Sequence, residues 1–317
     1  MPVRDGDQTL GRTLAALRTQ TLPAGDFEIL VVDDGSRDGT LAVAREHARR
    51  PGGAQLRVLS QAPTGPGEAR NAGVAATAAA QLAFCDADVF PARGWLEAGV
   101  AALEHADLVQ GRVLPDPWAP AGPFDRTIWV TRPGGLYETA NLFVRRELFE
   151  AVGGFDQWLR PRRGKALAED VWFGERCLRA GARAAFCAEA LAHHAVFPRS
   201  AVSYVAERAR LRYFPAMVAQ MPALRHRFLY RRLFLNRRTA CFDLMLAGGL
   251  LAGGTGRRTP LLAALPYLRE LRRHARARAR PDAAPALPAI IAADLAADGC
   301  GTVALIAGSL ANLAPVL

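Results

Sequence analysis

Two carboxylates separated by one small residue, Asp86-Ala87-Asp88, follow a short apolar run at residues 82–85. Acids so spaced at the end of a buried strand form a compact hard-oxygen site, of the kind that holds Mg²⁺ or Mn²⁺ together with phosphate groups. Such a cation would neutralise a departing diphosphate and act as a Lewis acid. A solvated turn is also rich in Asp, so the pair gains meaning only from its company. A second acidic turn, Asp33-Asp34-Gly35-Ser36 followed by Asp38-Gly39-Thr40, closes the run at 27–32. Its carboxylates could hydrogen-bond a nucleobase or ribose, and the same residue types also serve as ordinary caps of a strand-to-helix turn. Glu169-Asp170 opens a stretch of helical periodicity, where carboxylates complement the helix dipole whatever else they do. His193-His194 lies beyond a run at 183–187, and strand alternation turns only one of the two inward.

Groups of this kind need a scaffold that brings several loops to one edge. The apolar, β-branched runs at 27–32, 56–59 and 82–85 read as buried parallel strands. Leu10, Leu14 and Leu17 repeat at helical spacing, as do Leu41 and Ala44-Arg45, and residues 68–80 form an Ala-rich helix. The β-α-β-α-β order predicts an open α/β sheet, in which ligands collect beyond the carboxyl ends of the strands. Both acidic turns fall at that edge. Residues 112–135, rich in Pro and Gly, read as a long functional loop. After it come a strand at 140–144, a helix at 146–152, the turn Gly153-Gly154-Phe155-Asp156, a helix at 169–180 stopped by Gly181, and a strand at 183–187.

Half of the 317 residues are apolar, which excludes disorder for most of the chain. Five cysteines without a CxxC pair suggest neither a zinc site nor a disulfide framework, and fit a reducing cytoplasm. The net charge of +10 is unevenly spread: residues 1–200 hold 23 Lys and Arg against 24 Asp and Glu, residues 201–317 hold 17 against 6. Two zones are therefore expected. No stretch reads as the ~20 uninterrupted apolar residues of a spanning helix, and the first residues carry no signal-peptide pattern. The region beyond residue 200 is Ala, Leu and Arg with scattered Pro, including a basic run at 269–280 and a linker at 281–288.

The ordered set Pro2-Val3, Asp33-Asp34-Gly35-Ser36, Ala69-Arg70-Asn71-Ala72-Gly73, Asp86-Ala87-Asp88, Asn141-Leu142-Phe143-Val144-Arg145-Arg146, Gly153-Gly154-Phe155-Asp156 and Glu169-Asp170-Val171-Trp172-Phe173 resembles the family 2 glycosyltransferases over about residues 1–200. That resemblance implies a GT-A fold: a mostly parallel Rossmann-like α/β sheet flanked by helices, here with a C-terminal helical extension. It implies that Pro2, Asp33 and Asp34 lie near the base and ribose, Arg70 near the nucleotide, and Asp86 and Asp88 at the ribose, metal and diphosphate, with Asp88 the direct metal ligand. It implies a general base from Glu169-Asp170, for which Asp170 is favoured, and it makes His194 of the His pair a candidate to complete the metal shell. The donor would be a UDP-, GDP- or dTDP-linked sugar and the reaction an inverting transfer. Trp172, Phe173 and Leu178 read as helix packing, while Trp95, Trp118, Trp129, Tyr137 and Trp158 are candidates to stack on an acceptor.

Two departures stand out. The family's first strand is a full apolar run, whereas here Met1-Pro2 begins the chain, so an upstream start is expected; Arg4-Asp5 also replaces an aromatic residue and Asn. The expected organisation is a transferase domain over 1–200 and a basic helical region over 201–317. In the latter, Arg pairs alternate with Leu, Phe and Tyr and with apolar patches at 241–254 and 301–317. That texture suits an anionic membrane surface better than a nucleic acid, and points to a peripheral enzyme on the cytoplasmic face acting on a glycan or lipid-linked acceptor. The competing readings are an ordinary helical appendage, a catalytically silent binding protein of the same fold, and a sugar nucleotidyltransferase. The last would need a Gly-rich loop with a lysine, and Lys165 is the one lysine in the chain.

Overall fold

The computed structural model describes residues 1–119, 122–159, 167–278 and 286–317. Lys165 and residues 281–285 of the expected linker lie outside them. The chain forms two compact units, one of Met1–Ala119 with Thr127–Val196, the other of residues 122–126 with Phe197–Leu317.

The first unit runs β1 (Pro2–Val3), α1 (Asp7–Leu17), β2 (Glu28–Asp33), α2 (Thr40–Arg49), β3 (Gln55–Ser60), α3 (Pro66–Ala75), β4 (Gln81–Cys85), β5 (Val89–Pro91), α4 (Trp95–Ala102), β6 (Leu108–Pro115), β7 (Asn141–Arg145), α5 (Arg146–Ala151), α6 (Glu169–Arg179) and β8 (Ala184–His194). Its strands form two sheets, β1-β2-β3 and β4-β7-β6-β8-β5. The first is wholly parallel, as the alternation of strands and helices predicts. Leu10 and Leu14 of α1 and Val31 of β2 are buried together in the larger core of the unit.

The strand at 82–85 was expected beside the other parallel strands. It belongs to the second sheet, antiparallel to β7 over the full ladder Gln81↔Arg145 to Cys85↔Asn141. The two-residue β1 pairs with β2 alone and does not reach β4. A cavity of about 680 Å³ opens between β2 and β4, lined among others by Met1, Leu30, Phe84, Trp95 and Phe143. The Met1 ammonium donates to Leu30 O (2.9 Å), and burial pulls its pKa down to about 6. None of Asp33, Asp34, Asp86, Asp88 or Asp170 lines this cavity.

The reading of 112–135 as loop needs correction at its start, because residues 108–115 form β6, in the middle of the second sheet. Gln110-Gly111-Arg112 interrupts the apolar run and hides the strand. The interruption has a structural purpose: the β6–β8 register shifts between Gly111 and Arg112, and Asn141 fills the step. Its Nδ2 donates to Arg112 O (3.0 Å) and Ala190 O (2.7 Å), and its Oδ1 accepts from Trp95 Nε1 (2.8 Å). A Cβ at Gly111 would lie 2.2 Å from Asn141 Oδ1, so only glycine fits there.

The second unit is helical: α7 (Ala201–Glu207), α8 (Phe214–Gln220), α9 (Leu224–Arg227), α10 (Arg237–Thr255), α11 (Ala264–Arg278) and α12 (Ala286–Asn312). A capping box of Asn236 and Thr239 starts α10, and Gly256 ends it in the left-handed conformation (φ 66°). The expected basic run belongs to α11 as far as Arg278, and Leu287 and Pro288, placed in the linker, belong to α12. The expectation that no helix is long and apolar enough to span a membrane is also corrected: Leu287–Asn312 meets that test by length and composition, with mean hydropathy 1.7. Asp294 and Asp298 interrupt the apolar run in the sequence, but both are paired in the fold. Asp294 accepts from Tyr204 Oη (2.9 Å) and pairs with Arg278 and Arg238, while Asp298 accepts from Tyr267 Oη (2.7 Å) and Arg238 Nε (2.8 Å).

Candidate functional site

The acidic turns occupy the carboxyl ends of β2 and β4. Asp33 closes β2, and its Oδ1 accepts from Ser36 N (3.2 Å), shaping the turn. Asp34 faces the loop entering α3 and accepts from Gln61 Nε2 (2.9 Å), Thr64 N (2.8 Å) and Gly65 N (2.9 Å). Its carboxylate thus holds the loop that positions Arg70. Pro2 is buried on β1, level with Val32.

Asp86-Ala87-Asp88 is the turn between β4 and β5, closed by Val89 N donating to Asp86 O (3.2 Å) and held by Thr13 Oγ1 donating to Ala87 O (2.9 Å). Because β5 pairs with the end of β8 in the register Val89↔His194, His194 arrives beside Asp88. The histidine pair therefore belongs to β8 itself, which is longer than the run at 183–187 suggests. Ala195 N donates to Asp88 O (2.8 Å), and His194 Nε2 stands 3.6 Å from Asp88 Oδ2. His194 Nδ1 lies 2.6 Å from Ala195 O; a carbonyl only accepts, so Nδ1 carries a proton. Nε2 faces the Asp88 carboxylate, so a nitrogen and an oxygen of the kinds that bind a divalent cation stand side by side.

Among the described residues no group of three or more His, Cys, Asp and Glu side chains is gathered to hold a metal alone. Asp88 and His194 fit a site completed by water and phosphate oxygens, as is common for Mg²⁺. His193 is the alternate residue on the strand, and burial lowers its pKa.

Arg70 joins the two acidic motifs. It is 5% exposed, its Nη2 donates to Asp86 Oδ1 (2.6 Å), and its Nη1 lies 3.5 Å from Glu169 Oε1. Among the described residues its Nε finds no hydrogen-bond partner. Glu169 and Asp170 form the first turn of α6, where Val171 N donates to Asp170 Oδ1 (2.8 Å). Desolvation, then the neighbouring charge of Glu169, pushes the Asp170 carboxyl up to about 7. Glu138, not singled out in the sequence, is itself raised by burial, and its charge adds to the rise at Asp170. Nothing in its spacing marks it; only the fold brings it within reach.

The remaining motifs build the frame. Asn71 of α3 clamps the turn before α6: its Nδ2 donates to Phe155 O and its Oδ1 accepts from Phe155 N, both at 2.9 Å. Gly154 (φ +66°) passes so close that a Cβ would lie 2.8 Å from Asn71 Oδ1. Of the aromatic residues considered for acceptor stacking, Trp95 is ruled out, being buried and bonded to Asn141. Tyr137 packs over Gly174 and Trp158 against Trp172. Trp118 and Trp129 are exposed.

Comparison with known proteins bears on this arrangement. The family model described as glycosyl transferase family 2 matches residues 1–157. Glycosyltransferase AglE of Haloferax volcanii is 30% identical over 208 residues, covering 62% of this chain and 66% of the relative. Residues 1–157 belong to the family 2 glycosyltransferases. Another relative, the pre-mycofactocin glycosyltransferase of Mycobacterium tuberculosis, is 29% identical over 219 residues, 61% of this chain and 41% of its own length. The chain thus spans less than two thirds of each of these relatives. Among solved structures, a mannosyltransferase from Pyrobaculum calidifontis in complex with GDP-Man and Mn²⁺ superposes with a TM-score of 0.57 at 21% identity, over 98% of this chain and 85% of that one. Staphylococcus aureus TarS 1–349 in complex with UDP gives 0.52 at 17% identity, over 98% and 89%. These similarities establish the GT-A fold for this family 2 member.

Proposed function

We propose that this protein transfers a sugar from a nucleotide-sugar donor to a hydroxyl acceptor, with inversion at the anomeric carbon and with Mg²⁺ or Mn²⁺ bound. The observation that carries the proposal is the Arg70 bridge, bonded to Asp86 at 2.6 Å with Glu169 at 3.5 Å, which sets the acids of α6 beside the acids after β4. Pro2 and Asp33 would line the base and ribose, with Asp34 holding the adjoining loop. Arg70 would steady Asp86 against the ribose and diphosphate. Asp88 and His194 would hold the cation, with Asp86 contributing to the same site. When bound, the cation supplies charge neutralisation for the leaving diphosphate.

Asp170 is the general base. A carboxylate whose pKa is held near 7 accepts a proton at neutral pH far better than an ordinary one. As the acceptor oxygen bonds to the anomeric carbon, its proton passes to Asp170. The bond from that carbon to the diphosphate oxygen breaks, and its electron pair leaves with the nucleotide. GDP-Man and Mn²⁺ in the Pyrobaculum structure and UDP in the TarS structure support a nucleotide-linked donor of the UDP, GDP or dTDP kind. Exposed Trp118 and Trp129 are the side chains available to stack on an acceptor sugar. The acceptor is a cell-envelope glycan or a lipid-linked sugar reached at the cytoplasmic face of the membrane, consistent with a region beyond residue 200 that holds 17 Lys and Arg against 6 Asp and Glu.

A thermal-shift screen of nucleotide sugars with and without Mn²⁺ tests the donor assignment. One nucleotide class should raise the melting temperature only with the metal, since ligand at 100 times its Kd adds about 2.7 kcal/mol. No metal-dependent turnover of any nucleotide sugar, in a donor-hydrolysis assay of the wild type beside Asp88→Ala, would favour the catalytically silent protein.

A further inference from the structure

Two elements of the helical unit compete for the role of membrane contact, and the fold separates them. By length and composition α12 could span a bilayer. Yet its Asp294 is fully buried and bonded to Tyr204, Arg238 and Arg278, and its Asp298 is bonded to Arg238 and Tyr267. Withdrawing α12 into lipid would strip each of these charges of its partner. The helix is the central strut of its unit.

The hairpin of α10 and α11 differs. From Leu244 to Gly256 thirteen residues carry no charge, too few to span the ~20-residue thickness of a bilayer and of a length suited to its interface. Leu250 and Leu251 on α10, Leu261 and Leu262 on the 3₁₀ segment Thr259–Ala263, and Leu265 and Leu268 on α11 are all exposed, Leu250 by 79% and Leu262 by 65%. They are not a loose tail: Gly248 packs so tightly on Pro260 that a Cβ would lie 2.5 Å from its carbonyl oxygen, and Tyr267 and Leu271 pack against Phe242.

Arginines flank this apolar surface on both sides. Arg257 and Arg258 occupy the turn, and Arg269, Arg272 and Arg276 continue the exposed side of α11 beyond Leu265 and Leu268. Leu265 and Arg272 are separated by about 10 Å of helix, comparable with the depth of the headgroup region.

We infer that the α10–α11 hairpin lies in the headgroup boundary of an anionic bilayer, its leucines in the acyl layer and its flanking arginines on lipid phosphates, and that α12 does not span. The inference rests on the membrane reading proposed above. Long arginine stems allow the apolar and charged contacts together, and the charge excess selects anionic lipid.

Flotation of the full chain with phosphatidylcholine vesicles, with or without 30 mol% phosphatidylglycerol, tests it. The wild type should float with the anionic vesicles in about 0.1 M salt. Leu250→Glu/Leu251→Glu and Leu261→Glu/Leu262→Glu should each weaken binding at least about ten-fold. Arg257→Glu/Arg258→Glu should abolish the preference for anionic lipid, and Val303→Glu, on the exposed side of α12, should change nothing. Circular dichroism and melting curves establish that each variant is folded, and the separate leucine pairs provide two independent trials.

Wild-type flotation that the leucine changes leave intact and Val303→Glu removes would overturn the inference while preserving the membrane reading. Failure of the wild type to float would overturn both. A wild-type dimer that dissociates in the leucine variants without any vesicle binding would make the hairpin an interface between copies, and would also contradict it.

Discussion

Both units bury carboxylates beside arginines, and they do so to opposite effect. On α12 of the helical unit the acids are answered: Asp294 has Tyr204, Arg238 and Arg278, Asp298 has Tyr267 and Arg238, and the Asp294 carboxyl is held below its usual range by Arg278 and Arg238 despite its burial. Beyond β4 the balance differs. One guanidinium, Arg70, is shared by Asp86 and Glu169, and burial with the charge of Glu169 pushes the Asp170 carboxyl up to about 7. Matched charges hold a fold together. Mismatched charges, maintained by the surrounding structure, are what a ligand or a proton can satisfy.

Either region can be tested by substitution, and the largest effect is expected at Asp170, the proposed base. Asp170→Asn should lower kcat/KM by about 10²–10⁴-fold while leaving the protein folded, measured by donor consumption in the presence of acceptor. Next in size, Asp294→Ala should destabilise the helical unit by about 3–5 kcal/mol, because Arg238 and Arg278 lose a buried partner. Chemical denaturation followed by helical signal measures this loss. If instead Asp294→Ala spared stability and Asp170→Asn unfolded the protein, the assignment of the two regions would be reversed.

Smaller effects are expected from pH and from the frame. Asp170 has a folded pKa above its unfolded value, so between about pH 4 and pH 7 the native state binds the extra proton and this group favours folding less as pH rises. Asp170→Asn should therefore flatten the stability profile in that window, as read from melting temperature against pH. Activity runs the other way: the wild-type rate should climb to a plateau above pH 7, since only the ionised base accepts a proton, and this limb should vanish in the variant. Smallest is Asn71→Ala, which removes both bonds to Phe155 and should cost about 1–3 kcal/mol. Asn71→Asp, which can still accept from Phe155 N, should recover part of that loss.

Sequence reading was strongest where chemistry coincides with an element boundary. Asp33 ends β2, Asp86 follows β4 and Glu169 begins α6, and at each place an apolar run stops at polar residues for local reasons. It was weakest where the deciding contact is distant in the chain. β6 was hidden by Gln110-Gly111-Arg112, whose sense appears only when Asn141 fills the step in register. Trp95 resembles a free aromatic until its indole N–H is seen donating to Asn141 Oδ1, and Glu138 has no motif around it. The acids of α12 concealed its helical length because their partners lie elsewhere in the helical unit. The Arg70 bridge has the same character: each member can be seen in the sequence, but their meeting depends on the fold.

If, as proposed, Asp88 and His194 share a cation that serves the donor diphosphate, a Mn²⁺ titration of donor turnover by the wild type, His194→Ala and Asp88→Ala at a fixed nucleotide-sugar concentration will show it. Turnover should depend on metal in the wild type, need about ten-fold or more additional Mn²⁺ in His194→Ala, and be absent in Asp88→Ala at any concentration. Wild-type turnover indifferent to chelator and to both substitutions would rule out the shared cation.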